Sequence, residues 1–218
     1  MPKIKLCGLT RQSDIEAVNI ANPDYIGFVF AKSRRQINEE KAKQFKQFLS
    51  PYIQVVGVFV NEKIEKIINL CNSNIIDMIQ LHGDEDNEYI RKLKECVPNK
   101  IIKAVRVKES QDVERAIEIV ADYILFDTYH REQYGGTGET FDWNLISKVD
   151  KPYFLAGGIN ADNVYEAIKL CNPYCIDISS GVETNGYKDP KKILHIIDKV
   201  NCRDGSRGQF YKWNNNIL

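Results

Sequence analysis

The side chains best suited to chemistry are scattered along the chain. Cys7 follows Lys3-Ile4-Lys5-Leu6 and precedes Gly8. A thiol there is either a small packed group or, as thiolate, a base or nucleophile. Asp127 closes the apolar run Tyr123-Ile124-Leu125-Phe126. A carboxylate in such a place must be hydrogen-bonded, coordinated or functional. It either braces the coming Gly135-Gly136-Thr137-Gly138 loop or handles a proton. His82, in Gln80-Leu81-His82-Gly83, is open to three readings: ligand, base or capped core histidine. Arg34-Arg35 is a solvated pair or an anion clamp. The glycine-bearing turns Gly157-Gly158 and Ser179-Ser180-Gly181 let backbone N–H groups approach an anion, helped by a following helix N-terminus. Cys171 and Cys175 are the only closely spaced cysteines and have no second ligand pair, so no metal site is expected.

A repeated unit would bring these residues together. Short β-rich runs recur at 3–7, 25–30, 53–60, 76–81, 101–105, 123–127, 152–156 and 174–179. Most lack strict polar alternation, which suits strands covered on both faces of a parallel sheet. Their spacing is that of a βα unit, not of a hairpin. The stretches between them read as helices. Ile64, Ile67, Ile68 and Cys71 fall at helical spacing, as do Ile193, Ile196, Ile197 and Val200. Asn38, Asn160 and Asp189 stand where N-caps are needed, the last followed by Pro190.

Eight strands alternating with eight helices predict a (β/α)8 barrel, an α/β fold, in a single domain over 1–200. A doubly wound open sheet is the alternative. Residues 201–218 are polar, rich in Gly and Asn and aperiodic, and read as a tail with Phe210, Tyr211 and Trp213 as candidate anchors. A barrel gathers its site at the C-terminal ends of its strands, and every candidate above falls just there.

Composition narrows the function. Among 218 residues, 30 Lys and Arg balance 30 Asp and Glu, so neither nucleic acid nor a membrane surface is an expected partner. Hydrophobic residues at 43% and charged residues at 28% fit an ordered globular chain. No apolar run approaches the ~20 residues of a bilayer span, and no secretory h-region is visible. A cytoplasmic protein with reduced thiols is the expectation.

From residue 3 to about 200 the chain resembles the phosphoribosylanthranilate isomerase family. The segments carrying the resemblance are KLCGLT, YIGFVFAKSRR, VVGVFVN, IQLHGDE and FDT, followed by GGTGETFDW, LAGGINADNV and DISSGVETNGYKD. The loop AKSRRQI is a residue shorter than the common family form. The resemblance implies an Amadori rearrangement of N-(5-phosphoribosyl)anthranilate, with no metal or redox cofactor. It makes Asp127 the general acid and Cys7 the general base. It places Arg35, or failing that Arg34, on the anthranilate carboxylate, and His82 beside the substrate. Gly157, Gly158, Ser180 and Gly181 would hold the phosphate. A thiol with an ordinary pKa of ~8.5 is only about 3% ionised at pH 7, so Cys7 is expected to be lowered. Backbone N–H groups of the Gly8-Leu9-Thr10 turn are the expected means. The only expected partner is the small-molecule substrate, with the chain a monomer or weak homodimer. Two rivals remain: a histidine-pathway ribonucleotide isomerase, which would use two aspartates, and a non-catalytic barrel that binds a sugar phosphate.

Overall fold

Eight parallel strands close on themselves in the computed structural model, which describes residues 1–128, 142–146 and 149–201. They are β1 (Lys3–Cys7), β2 (Tyr25–Val29), β3 (Gln54–Phe59), β4 (Met78–Leu81), β5 (Lys100–Val107), β6 (Tyr123–Thr128), β7 (Tyr153–Leu155) and β8 (Cys175–Ile178). β8 pairs in parallel with β1, setting Asp177 opposite Lys5, and this closure excludes the open sheet. The helices are α1 (Gln12–Ala21), α2 (Glu39–Phe48), α3 (Ile64–Asn72), α4 (Asn87–Cys96), α5 (Ser110–Ile117), α6 (Val164–Cys171) and α7 (Pro190–Asn201). Between β6 and β7 the described residues form only a 3-10 turn, Trp143–Leu145, in place of the expected helix. The Gly135-Gly136-Thr137-Gly138 loop lies outside the described residues. So do positions 202–218, including Phe210, Tyr211 and Trp213. α7 itself runs through Asn201, a residue past the expected domain end.

The caps show how local sequence sets the helix starts. Asn38 Oδ1 accepts from the Lys41 N–H at 2.9 Å, and Asp189 Oδ1 from that of Lys191 at 2.9 Å. Asn160 does not cap α6 as expected. Its Oδ1 accepts from the Asp162 N–H at 2.8 Å while Asn163 Oδ1 accepts from the Asn160 N–H at 2.9 Å. These side-chain bonds to nearby backbone hold a turn and delay the helix to Val164.

Side chains alternate across the barrel wall. Ile4, Leu6, Ile124, Phe126, Ile176 and Ile178 pack outward, in the core shared with the helices. Tyr25, Val56, Ile102, Leu125, Phe154 and Cys175 pack inward. Cys171 belongs to the outer core and Cys175 to the inner, so the short Cys-x3-Cys spacing crosses the wall. The same alternation turns Cys7, Asp127 and Asp177 inward. After β8 comes a 3-10 turn, Ser180–Val182, then a hairpin of β9 (Glu183–Thr184) and β10 (Tyr187–Lys188). Asn185-Gly186 forms its turn with φ of 52° and 81°, the signature of a two-residue hairpin loop.

Candidate active site

A cavity of about 860 Å³ opens at the C-terminal ends of the strands. Cys7, Arg34, Arg35, His82 and Asp127 line it, and Gly157, Gly158 and Ser180 complete the wall. One end of the barrel thus collects the sequence candidates, all of them lining the cavity but Gly181, which follows Ser180 and packs on the Ile159 carbonyl oxygen. That contact packs the turn after β8 onto the turn after β7.

Cys7 ends β1, and Asp127 sits near the end of β6. Around the ring they are separated by β7 and β8, whose two turns lie between them. Cys7 is buried, and room for its sulfur comes from Gly27 on β2. A β-carbon built at Gly27 would lie 2.6 Å from Cys7 Sγ. Asp127 Oδ1 accepts from the Thr128 N–H at 2.8 Å. Its Oδ2 lies 3.3 Å from His82 Nε2, in poor alignment for a hydrogen bond. Gln80 Nε2 is 2.8 Å from His82 Nδ1. With the Gln80 amide donating there, the neutral ring carries its proton on Nε2, facing Asp127. Gly157 has φ of 85°, and a β-carbon there would strike Thr128, so the turn beside Asp127 needs glycine.

The arginines are held from behind. Arg35 donates through Nε to Glu183 Oε1 at 2.7 Å and through a terminal nitrogen to Oε2 at 2.9 Å. Arg34 reaches Glu183 Oε2 at 2.9 Å, and Lys188 Nζ reaches Oε1 at 2.8 Å. Three cations share one carboxylate, which leaves the cluster positive. Arg35 is the better enclosed of the two arginines, its side chain 12% exposed against 58% for Arg34.

The sequence profile of N-(5'phosphoribosyl)anthranilate (PRA) isomerase matches residues 4–199. The chain belongs to this family. An N-(5'-phosphoribosyl)anthranilate isomerase of Endomicrobium trichonymphae is 53% identical over 197 residues, covering 90% of this chain and 97% of its own. The crystal structure of the phosphoribosylanthranilate isomerase of Thermotoga maritima superposes with a TM-score of 0.82 at 38% identity, covering 92% of this chain and 99% of that one. A phosphoribosylanthranilate isomerase solved with reduced 1-(o-carboxyphenylamino)-1-deoxyribulose 5-phosphate gives a TM-score of 0.80 at 36% identity, with coverage of 92% and 99%.

In this member of the isomerase family the electrostatics of Cys7 differ from expectation. The Gly8 N–H donates to the Gly27 carbonyl at 2.9 Å, and the Thr10 N–H to Asp14 Oδ2 at 2.9 Å. Those N–H groups are spent holding the turn and do not serve the sulfur. Burial pushes the Cys7 thiol up, Lys5 opposes that rise, Asp177 adds to it, and Lys188 opposes it; the net shift is upward. The expected lowered thiol is therefore corrected: desolvation outweighs the neighbouring cations. Lys5, Asp177, Glu183 and Lys188 were given no role by the sequence reading. Lys5 and Asp177 carried a usable signal, since each is a charged residue inside an apolar strand.

Proposed function

We infer that this chain catalyses the Amadori rearrangement of N-(5'-phosphoribosyl)anthranilate to 1-(2-carboxyphenylamino)-1-deoxyribulose 5-phosphate. The observation that carries the reading is the placement of Cys7 and Asp127, both facing into one cavity with the Gly157-Gly158 and Ser179-Ser180 turns between them. Asp127 protonates the furanose oxygen while the anthranilate nitrogen lone pair expels the C1–O bond, leaving an iminium. The Cys7 thiolate then takes the C2 proton, and the C–H electron pair neutralises the iminium to give an enolamine. Loss of the C2 hydroxyl proton and protonation of C1 give the ketone. The atoms balance without any external oxidant or reductant. Each proton-transfer group is worth about 10²–10⁴-fold.

Binding follows the same geometry. Among the described residues none accepts from the N–H groups of Gly158, Ser180 or Gly181, which leaves these donors for the phosphate. The positive cluster behind Arg35 suits the anthranilate carboxylate, with Arg35 presented by Glu183 and Arg34 at the rim. His82, beside Asp127, faces the same cavity as a substrate-binding side chain. Among the described residues no helix is long and apolar enough to cross a membrane. A cytoplasmic enzyme whose partner is its small substrate completes the reading. Whether it pairs with itself as a weak dimer is read by sedimentation. One solved relative, of Thermotoga maritima, is described as a dimeric isomerase studied as monomers. The test of the activity is direct. Freshly made phosphoribosylanthranilate should lose its anthranilate fluorescence at a rate proportional to added protein, and loss no faster than in buffer would refute the assignment.

A further inference from the structure

Lys5 is a fully buried ammonium inside the barrel. Nζ donates to Asp177 Oδ1 at 3.0 Å and to Oδ2 at 2.9 Å, across the β1–β8 seam where the two residues are register partners. A pair of this kind is a poor stability device, because desolvation of both ions cancels most of their attraction and apolar residues of similar volume often do better. Its position suggests another use. Lys5 and Cys7 are two residues apart on one strand and so face the same way, with the thiol toward the cavity and the ammonium beneath it. The ammonium acts on the sulfur from there, opposing the upward push of burial on the thiol.

We propose that Lys5, held in place by Asp177, is the positioning residue that brings positive charge under the Cys7 sulfur and sets the fraction of Cys7 present as thiolate. This rests on the reading of Cys7 as the base. Among the described residues three charged groups act on the sulfur, and Arg35 packs over the neighbouring Gly8. β1 supplies Lys5, β8 supplies Asp177, β10 supplies Lys188, and β2 presents only Gly27. Lys188 is committed to Glu183 and to the Ser179 carbonyl at 2.9 Å. Among the described residues Lys5 pairs with one carboxylate, Asp177, and is bonded to no other side chain. Burial alone would lower the Lys5 pKa, but Asp177 and Cys7 outweigh burial and raise it, so Lys5 stays charged across the working range. Cys175, the other buried thiol near Lys5, lies deeper in the barrel and is held well up by burial. The same ammonium opposes the rise at Cys175 too, but there burial dominates and the thiol does not line the cavity.

The test is the pH dependence of Cys7 alkylation by iodoacetamide, read by peptide mass, with exposed Cys96 as internal control. In Lys5→Met the Cys7 inflection should move up by about one unit, cutting its alkylation rate near neutral pH about tenfold, while Cys96 is unchanged. Values of kcat/KM should fall in proportion. Lys5→Met leaves Asp177 buried without its partner, so the double variant Lys5→Met/Asp177→Asn, which buries no charge, carries the test if the single variant does not fold. It should shift the inflection the same way by less, because the repulsion from Asp177 goes too. An unchanged Cys7 inflection in either folded variant overturns the proposal. A shifted inflection with unchanged kcat/KM would support the Lys5–Cys7 link and instead remove Cys7 from its role as base.

Discussion

Gly27→Ala tests the placement of the Cys7 sulfur without touching any group that handles a proton. The added β-carbon would lie 2.6 Å from Cys7 Sγ, 3.1 Å from its Cα and 3.2 Å from its Cβ. Ordinary heavy-atom contacts settle near ~3.5–4.0 Å, so the sulfur is short by roughly 1 Å. The backbone cannot absorb this cheaply. Cys7 and Gly27 are register partners, and the Gly8 N–H is bonded to the Gly27 carbonyl at 2.9 Å. The thiol must turn aside. A displacement of ~1 Å at a reacting group costs about 10²-fold, or ~2.7 kcal/mol in the barrier. Overpacking should also cost ~1–3 kcal/mol of stability. Gly57→Ala separates the two effects. Its β-carbon would lie 2.9 Å from Ile76 Cδ1 and 2.9 Å from Phe59 Cε2, both side-chain ends remote from Cys7. It should lower the melting temperature while sparing kcat. The assay is continuous loss of anthranilate fluorescence, with thermal melts by circular dichroism to confirm folding. A folded Gly27→Ala enzyme with wild-type kcat would show that the sulfur position does not matter to turnover.

Other outcomes follow from the same geometry. Cys7→Ser and Asp127→Asn should each reduce kcat by at least ~10² with little change in melting temperature, and near-normal turnover in either folded variant would strip that residue of its role. A product-bound crystal structure should place the phosphate on the N–H groups of Gly158 and of Ser180-Gly181; a phosphate found beside β2–β4 would reverse the substrate. Burial holds Cys71 up at about 11 and Cys171 at about 11. The unfolded thiol, at ~8.5, ionises first, so stability is full below that value and is lost as pH rises toward about 11. Melting temperatures should fall across this window, and the slope should be shallower in Cys71→Ala; a melting temperature flat with pH would contradict the buried-thiol argument.

The barrel was legible because each strand carries its own apolar run and each run ends in a turn. The helix between β6 and β7 was expected only by extension of the repeat, and the described part of that segment is a 3-10 turn around buried Trp143. The β9–β10 hairpin was passed over although Asn185-Gly186 announces it, because the flanking strands have two residues each, too short for period-2 alternation to register. Among the site residues, Cys7 and Asp127 stood out as reactive side chains at strand ends. Lys5 and Asp177 sit one alternation deeper, and their meaning depends on the β1–β8 seam. Only closure creates that seam, by joining strands some 170 residues apart.

The same closure explains why composition hid the electrostatics. Equal numbers of acidic and basic residues gave no reason to expect an anion-binding protein. Yet the proposed substrate carries a phosphate and a carboxylate, and the mouth of the barrel needs a local field to hold both. The fold builds that field from distant pieces. The β2 loop supplies Arg34 and Arg35, the β10 edge supplies Lys188, and β9 supplies the single carboxylate, Glu183, that fixes all three. Burial would raise Glu183, but Arg35 and Lys188 outweigh it and lower its pKa, so it stays ionised as the anchor. Removing Glu183 would strengthen the field but free the arginines to wander, whereas keeping it fixes their direction at the cost of one charge. Orientation is the scarcer quantity at such a site, since a guanidinium fork rewards a carboxylate only when both bonds can form at once.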